Sequence, residues 1–307
     1  MNIILLRGAA EQGLIYSLVA LGLFLSYRIL DIADLTVDGS FTLGAAASAM
    51  LTLAGHPVLG LFAALLAGGG AGLVTALLQT KLRVAPILAG IITMTALYSI
   101  NLKVMGNQSN LPLLRVDTAF SLFSALLPAP LRPYGKLLLS GMLVLAVALA
   151  LVLFLRTRLG LSIRATGDNR VMVSASSINP GLTITVGLCL ANAMVGLSGA
   201  MLAQYQLFAE NTMGTGMVVI GLASLIIGEV VTFCEKFGGV GRAVAACVLG
   251  AVLYRLIMAA ALSASVSPQD LKLVSALIVA TAISYPAIAA QLRLIRLKRE
   301  AKADADA

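Results

Sequence analysis

The sequence predicts an all-α fold, a polytopic membrane bundle of about eight to nine transmembrane helices. Of the 307 residues, 60% are hydrophobic and only 11% are charged, and the mean hydropathy is +1.00. A soluble domain is about 45–50% apolar and about 25% charged, so most of this surface must face lipid. The apolar residues also fall in runs near the roughly 20 residues that a helix needs to cross a bilayer.

The apolar runs define the predicted elements in order. The second run is short, and it is interpreted either as a crossing or as a broken or re-entrant helix. The interruption at 106–133 holds several prolines around an apolar patch at 120–127, which indicates an extramembrane loop with a short surface helix. Residues 1–290 are therefore predicted to form a single transmembrane domain. The predicted crossings are 12–30, 39–54, 57–80, 84–105, 134–155, 181–205, 216–233, 240–262 and 271–290.

The distribution of Lys and Arg predicts the orientation. If the nine crossings alternate, most loop cations share one side with a basic tail at 291–307, and the positive-inside rule makes that side the cytoplasm. This topology explains the net charge of +8 without a nucleic-acid partner, and it places the tail beside anionic lipid. The cations that mark the cytoplasmic loops are Lys81, Arg83, Arg156, Arg158, Arg164, Arg170, Lys236 and Arg242.

Small residues recur within the predicted crossings at helical spacing. Glycines cluster at 68–72, Asn192, Gly196 and Ala200 repeat every four residues, and Gly214, Gly221 and Gly228 repeat every seven. Such stripes allow helix backbones to approach closely in lipid. They predict a tightly packed bundle but do not identify a function.

No pattern in the sequence indicates bond chemistry. There is no Walker motif, no cluster with metal-ligand spacing and no nucleophile–base pair. The chain is therefore predicted to be non-catalytic, with no catalytic residue, no metal and no cofactor of its own, and transport is the expected activity.

Polar residues inside crossings are candidates for a translocation path. In lipid, such side chains face either the bundle interior or a water-filled cavity. Interhelical hydrogen bonding is one interpretation, and contact with a solute is the other. The candidates are Thr93, Thr95, Asn101, Asn192 and Ser224.

Three aspartates, Asp31, Asp34 and Asp38, precede or begin the second crossing. On one continuous helix they would share a face, which would suit ion or proton coupling. Alternatively, Asp38 or Ser40 caps a helix that begins near Gly39, and the other acids lie in solvent. Asp34 and Asp38 are also candidates for the path.

The polar segment 156–181 is predicted to hold a short cytoplasmic helix, at about 164–178. Asp168 and Asn169 are suitable N-caps, Arg170 to Ser177 can form two turns, and Pro180 within Asn-Pro-Gly ends the element. Its apolar face is modest, so the helix suits a groove in a protein more than the headgroup region.

The order of these motifs resembles the branched-chain amino acid and ribose-type permeases of ABC importers, the inner-membrane translocator family. Arg164-Ala-x-Gly167-Asp168-Asn169, followed by Ile-Asn, is similar to the family's coupling helix, and residues 187–200 and 214–228 are similar to two later helices. Asp34-Leu-Thr36-Val-Asp38-Gly is similar to the start of its broken second helix. With the following Ser-Phe, this variant resembles the tryptophan/tyrosine-type branch. The likeness covers roughly residues 12–290.

The sequence departs from the family pattern at three positions of the segment that resembles the coupling helix. Arg170 stands where the family often has Pro, Val171 where it often has an acid, and Ser177 near a frequent Gly.

The resemblance implies a permease subunit in the bacterial plasma (inner) membrane that moves an amino acid or related small molecule. It further implies a cytoplasmic ABC ATPase dimer that binds ATP and Mg²⁺, a second permease copy or paralogue, and an extracytoplasmic solute-binding protein. An ion-coupled secondary transporter that uses Asp31, Asp34 and Asp38 is the alternative, and a passive channel is a third possibility. The resemblance adds Thr36 to the path residues, and it assigns contact with the ATPase to Arg164, Gly167, Asp168, Asn169, Arg170 and Ser174.

Overall fold

The computed structural model describes residues 3–232, 239–263, 270, 273–278, 280, 281 and 284. Within them, six helices are long and apolar enough to cross a membrane, and Met217–Val231 is a shorter apolar helix. This confirms a helical membrane bundle. The six are Ile4–Ile29, Pro57–Thr80, Pro86–Val104, Arg132–Arg156, Pro180–Gln206 and Val240–Ser263.

A helix coincides with each of the first eight predicted crossings, although the second and seventh are not among the six long apolar helices. Most of the ninth, 271–290, and all of the predicted tail at 291–307 lie outside the described residues. The helices are α1 Ile3–Leu23, α2 Thr36–Leu53, α3 Pro57–Thr80, α4 Pro86–Val104, α5 Ala119–Leu126, α6 Gly135–Arg156, α7 Arg158–Asp168, α8 Arg170–Ala175, α9 Pro180–Gln206, α10 Met217–Val231 and α11 Val240–Ser263. A π-helical turn, Phe24–Ile29, extends α1, a 3₁₀ turn, Arg132–Tyr134, precedes α6, and the strands are β1 Asn110–Pro112 and β2 Phe208–Glu210.

The long helix α9 is the centre of the bundle, and α1, α2 and α3 pack around it. Glycine allows the closest approaches. A Cβ added at Gly68 would overlap the backbone carbonyl of Asn192, and one added at Gly44 would overlap the backbone of Gly196. The predicted packing through small residues is therefore confirmed for these helices.

The connections define two ends of the bundle. At one end β1 pairs antiparallel with β2, with Asn110 opposite Glu210, and the predicted surface helix is present nearby as α5. At the opposite end α3 finishes at Thr80, close to Gly181 at the start of α9, and α7 and α8 connect α6 to α9. The described loop cations predicted to be cytoplasmic lie at this second end, so we assign it to the cytoplasm.

The chain leaves helical geometry between α1 and α2. After the π-helical turn, residues 30–35 are not helical, and Asp31 has a left-handed φ of 54°. The helix then resumes at Thr36 and continues without a break to Leu53. The prediction that this helix begins near Gly39 was wrong, because the chain becomes helical one turn earlier, where Asp34 accepts a hydrogen bond from the Thr36 amide.

Candidate functional site

A buried polar network surrounds the start of α2. Asn192, in the middle of α9, donates from Nδ2 to Asp34 Oδ2 at 2.6 Å, and its Oδ1 accepts from Ser40 Oγ at 2.6 Å. The other carboxylate oxygen of Asp34 accepts from the Thr36 amide at 2.9 Å. All four residues are buried. The network therefore joins the non-helical segment, the first turns of α2 and the central helix.

Hydroxyl groups extend this network to two further helices. The Oγ1 atoms of Thr36 and Thr75 lie 2.7 Å apart, and Thr75 Oγ1 donates to Thr93 Oγ1 at 2.9 Å. Thr75 lies on α3 and Thr93 on α4, and both are buried. A polar line thus crosses four helices at one level of the bundle, and each of its members has a hydrogen-bond partner.

Asp38 has a different role from the one its position suggested. Its Oδ2 accepts from the Gly216 amide and its Oδ1 from the Val218 amide, both at 2.9 Å. It therefore caps α10, a helix far away in sequence, instead of its own helix. Two helices, α2 and α10, begin inside the bundle, and each has a carboxylate at its positive end.

The predicted common face of the three aspartates is absent. Residues 31–35 are not helical, Asp31 is exposed, and Asp34 and Asp38 bind different partners. The prediction assumed a continuous helix, and the left-handed conformation at Asp31 interrupts it.

The other path candidates lie outside this network. Asn101 is buried and donates to the Gly39 carbonyl at 3.3 Å, while Thr95 is exposed on α4 and donates to the Ile91 carbonyl at 2.8 Å. Ser224 donates to the Ile220 carbonyl of its own helix, and its backbone packs against Gly250.

Sequence reasoning missed two members of the network. Thr75 is a hydroxyl residue in a Gly- and Leu-rich crossing, and the rule that selected Thr93 would also have selected it. Ser40 was considered only as a cap, although it binds Asn192 instead.

The predicted cytoplasmic helix at 164–178 is two helices, α7 and α8. Asn169 separates them and caps α8, because its Oδ1 accepts from the amides of Val171 and Met172 at 3.1 and 3.0 Å. Asp168 is the last residue of α7, so its prediction as an N-cap was wrong. The polar side chain of Thr157 caps α7 instead.

Most side chains predicted to contact an ATPase are exposed at the cytoplasmic end. Two apolar side chains of α8 that were not among the predicted contacts, Val171 (79% exposed) and Met172 (68%), are exposed beside them, whereas Val173 (4%) anchors the helix to the bundle. The exposed polar members are Arg164, Asp168, Asn169, Arg170 and Ser174.

Gly167 faces inward, against the end of α1. A Cβ added there would overlap the carbonyl of Ile29, the last residue of the π-helical turn. One residue earlier, Thr166 and Thr183 of α9 share a hydroxyl hydrogen bond of 2.8 Å. The two cytoplasmic helices are thus seated on α1 and α9, directly beside the segment that carries Asp34.

The comparisons with known proteins agree with this architecture. The family described as the branched-chain amino acid transport system / permease component matches residues 5–284. The tyrosine transport system permease protein of Clostridioides difficile (strain R20291) is 38% identical over 269 residues, which is 87% of this chain and 86% of that one. No solved structure matches the chain.

More distant relatives include sugar permeases. The galactose/methyl galactoside import permease protein of Escherichia coli (strain K12) is 27% identical over 190 residues, 62% of this chain and 55% of that one. An uncharacterized protein of Rickettsia prowazekii (strain Madrid E) is 32% identical over 286 residues, 92% of this chain and 98% of that one. The chain therefore belongs to the branched-chain amino acid transport system / permease component family and is a multi-pass inner-membrane permease subunit of a bacterial ABC importer.

Proposed function

We propose that α7 and α8 form the surface on which a cytoplasmic ATPase acts, and that the non-helical segment 30–35 receives the movement. The observation that carries this proposal is the backbone contact between Gly167 of α7 and Ile29. Five residues after Ile29, Asp34 is bonded to Asn192 in the central helix. A movement of α7 would therefore push on the chain at Ile29, next to the polar network.

We further propose that the outer face of α4 lines the solute path between two permease copies. Thr95, Ser99 and Lys103 are exposed and follow one another at four-residue intervals, so they form one stripe toward the extracytoplasmic end. The exposed face of α6, by contrast, is apolar from Leu138 to Leu153 and suits lipid. Hydroxyl groups facing acyl chains would lose their hydration, so a stripe of this kind suits water or a second copy.

The solute that we propose is an amino acid, with tyrosine as the first candidate. The support is the tyrosine permease relative, which is similar over most of both chains, whereas the galactose permease relative covers a smaller part. The solute-binding protein and ATPase that the family implies complete the importer, and ATP and Mg²⁺ bind the ATPase subunit.

Uptake by the complete importer tests this function. The chain, its ATPase and its binding protein would be reconstituted in liposomes, and uptake of labelled tyrosine would be measured with unlabelled galactose as competitor. We expect uptake that needs ATP, that continues after an ionophore removes ion gradients, and that galactose does not reduce. Uptake that follows an ion gradient without ATP would show that the ion-coupled alternative is correct.

A further inference from the structure

A cleft of about 430 Å³ opens at the extracytoplasmic end of the bundle, away from α7, α8 and the polar network. It lies between the first turns of α1, the end of α5 and the start of α6. Its charged residues are Arg7, Glu11, Arg132 and Lys136, which leaves a surplus of two positive charges. A cleft with this balance favours an anionic group.

The cations keep free donors toward the cleft. Lys136 Nζ lies 4.8 Å from the ring centre of Tyr205, and within the described residues its ammonium has no hydrogen-bond acceptor. Among the described residues, Arg132 donates only from Nε, to the Leu127 carbonyl at 3.3 Å, and Arg7 donates from Nε to Glu11 at 2.9 Å. The terminal guanidinium nitrogens of both arginines and the ammonium of Lys136 therefore remain available to an oxyanion.

The level of the cleft in the membrane follows from α6. This helix has 22 residues, which at about 1.5 Å per residue spans about 33 Å, close to the roughly 30 Å hydrocarbon core of a bilayer. Arg132 and Lys136 lie at its outer end, where lipid phosphates are found, and Tyr134 lies between them, as aromatic residues often do at this boundary.

An apolar strip leads from the cleft along the outside of the bundle. Tyr134, Leu138 and Met142 follow one another at four-residue intervals and are 50%, 42% and 53% exposed, and Leu145 and Leu149 continue the same face. Ile4, at the other side of the cleft, is 84% exposed. A ligand that joins an anionic group to long acyl chains would satisfy both the cations and this strip.

We propose that this cleft binds the headgroup of an anionic glycerophospholipid from the outer leaflet, with its phosphodiester at Arg132 and Lys136 and its acyl chains along α6. Each oxygen of Glu11 accepts one hydrogen bond, from Arg7 and from Tyr205, and because a carboxylate oxygen has a second lone pair, Glu11 can also accept from a hydroxyl of the headgroup. Phosphatidylglycerol has this chemistry and is the probe for the test.

The test compares lipid retained by the purified full-length protein after extraction from vesicles of equal phosphatidylglycerol and phosphatidylethanolamine, counted by native mass spectrometry. We expect the unaltered protein to retain phosphatidylglycerol preferentially and the double variant Arg132→Gln, Lys136→Gln to lose that preference by about tenfold or more, since each surface cation contributes about 1 kcal/mol to anionic lipid binding. The double variant Lys103→Gln, Arg115→Gln removes two cations of the same end outside the cleft and should keep the preference.

Four results would overturn the proposal. The first is equal retention of both lipids by the unaltered protein, and the second is the same loss in the Lys103 and Arg115 variant. The third is displacement of bound phosphatidylglycerol by inorganic phosphate alone, because the apolar strip would then contribute nothing to the binding affinity. If the Arg132 and Lys136 variant keeps its lipid but no longer retains the solute-binding protein, the cleft is a docking site for that protein instead. Unchanged thermal unfolding of both double variants is the folding control.

Discussion

Asn192 of α9 donates to the carboxylate of Asp34 over 2.6 Å, which ties the middle of the central helix to the non-helical segment before α2. Asn192 also accepts from Ser40 and donates to the Leu188 carbonyl. One amide side chain therefore holds the carboxylate, a hydroxyl and its own helix together.

Replacing Asn192 with leucine should destabilise the protein by about 2–3 kcal/mol, because a buried carboxylate and a buried hydroxyl would each lose a partner. The measurement is thermal unfolding in detergent with and without the substitution. Ser224→Ala is the matched control, because within the part of the chain that the structure describes Ser224 bonds only to its own helix, so its loss should change stability little. Equal effects of the two substitutions would contradict a special role for the Asp34–Asn192 contact.

Two glycines of α3, Gly68 and Gly70, should respond differently to replacement by alanine. Gly68→Ala places a methyl group against the Asn192 carbonyl and should lower the unfolding temperature, whereas a Cβ at Gly70 meets no atom within 4 Å. Gly70→Ala should be neutral or should stabilise the helix by up to about 1 kcal/mol, the difference in helix propensity. A Gly68→Ala protein as stable as the Gly70→Ala protein would show that α3 and α9 are not in backbone contact.

Removing the Asp38 carboxylate should loosen the start of α10. Asp38→Ala removes the acceptor of the Gly216 and Val218 amides, and the loss of a cap costs about 0.5–2 kcal/mol. Hydrogen exchange of a peptide covering 212–222 should become faster in this variant, while Asp31→Ala, at an exposed position, should leave it unchanged. Unaltered hydrogen exchange in the Asp38→Ala variant would show that Asp38 does not cap α10.

Charge on the exposed apolar residues of α8 should abolish ATPase association without harming the fold. Val171→Lys with Met172→Lys changes side chains that are 79% and 68% exposed, so stability should shift by no more than about 0.5 kcal/mol for each. Co-purification of the ATPase is the measurement. Leu114→Asp, at a position 76% exposed near the opposite end, should keep the ATPase bound.

Normal ATPase retention by the α8 variant would exclude this surface as the docking site. Gly167 is unsuitable for the same experiment, because any larger side chain there would collide with Ile29 and disturb folding directly.

The composition and the apolar runs were sufficient to predict the membrane bundle, because lipid forces backbone hydrogen bonds into helices of a fixed length. Both ends of α3, Pro57–Thr80, were predicted correctly, because a proline begins the helix and a cation, Lys81, follows it. The start of α2 could not be found in this way. Its position depends on Asp34 and Asn192, which are 158 residues apart, and no local pattern encodes that contact.

The site was predictable only where side chains act locally. Asn169 was identified as a cap because a cap bonds to amides two and three residues ahead. Asp38 has the same chemistry but bonds to amides 178 and 180 residues away, so its partner emerged only from the three-dimensional packing.

The glycine-mediated contacts among α2, α3 and α9 determine where this permease can bend. Their main chains touch, so sliding of these three helices past one another would cause steric overlap, and we expect them to move as one rigid body. A change between inward-open and outward-open shapes would then be absorbed in the non-helical connections that leave this group of helices, at residues 30–35, 81–85, 176–179 and 207–216. These three helices would therefore keep their relative positions throughout the transport cycle, and the elements joined through these connections would move around them.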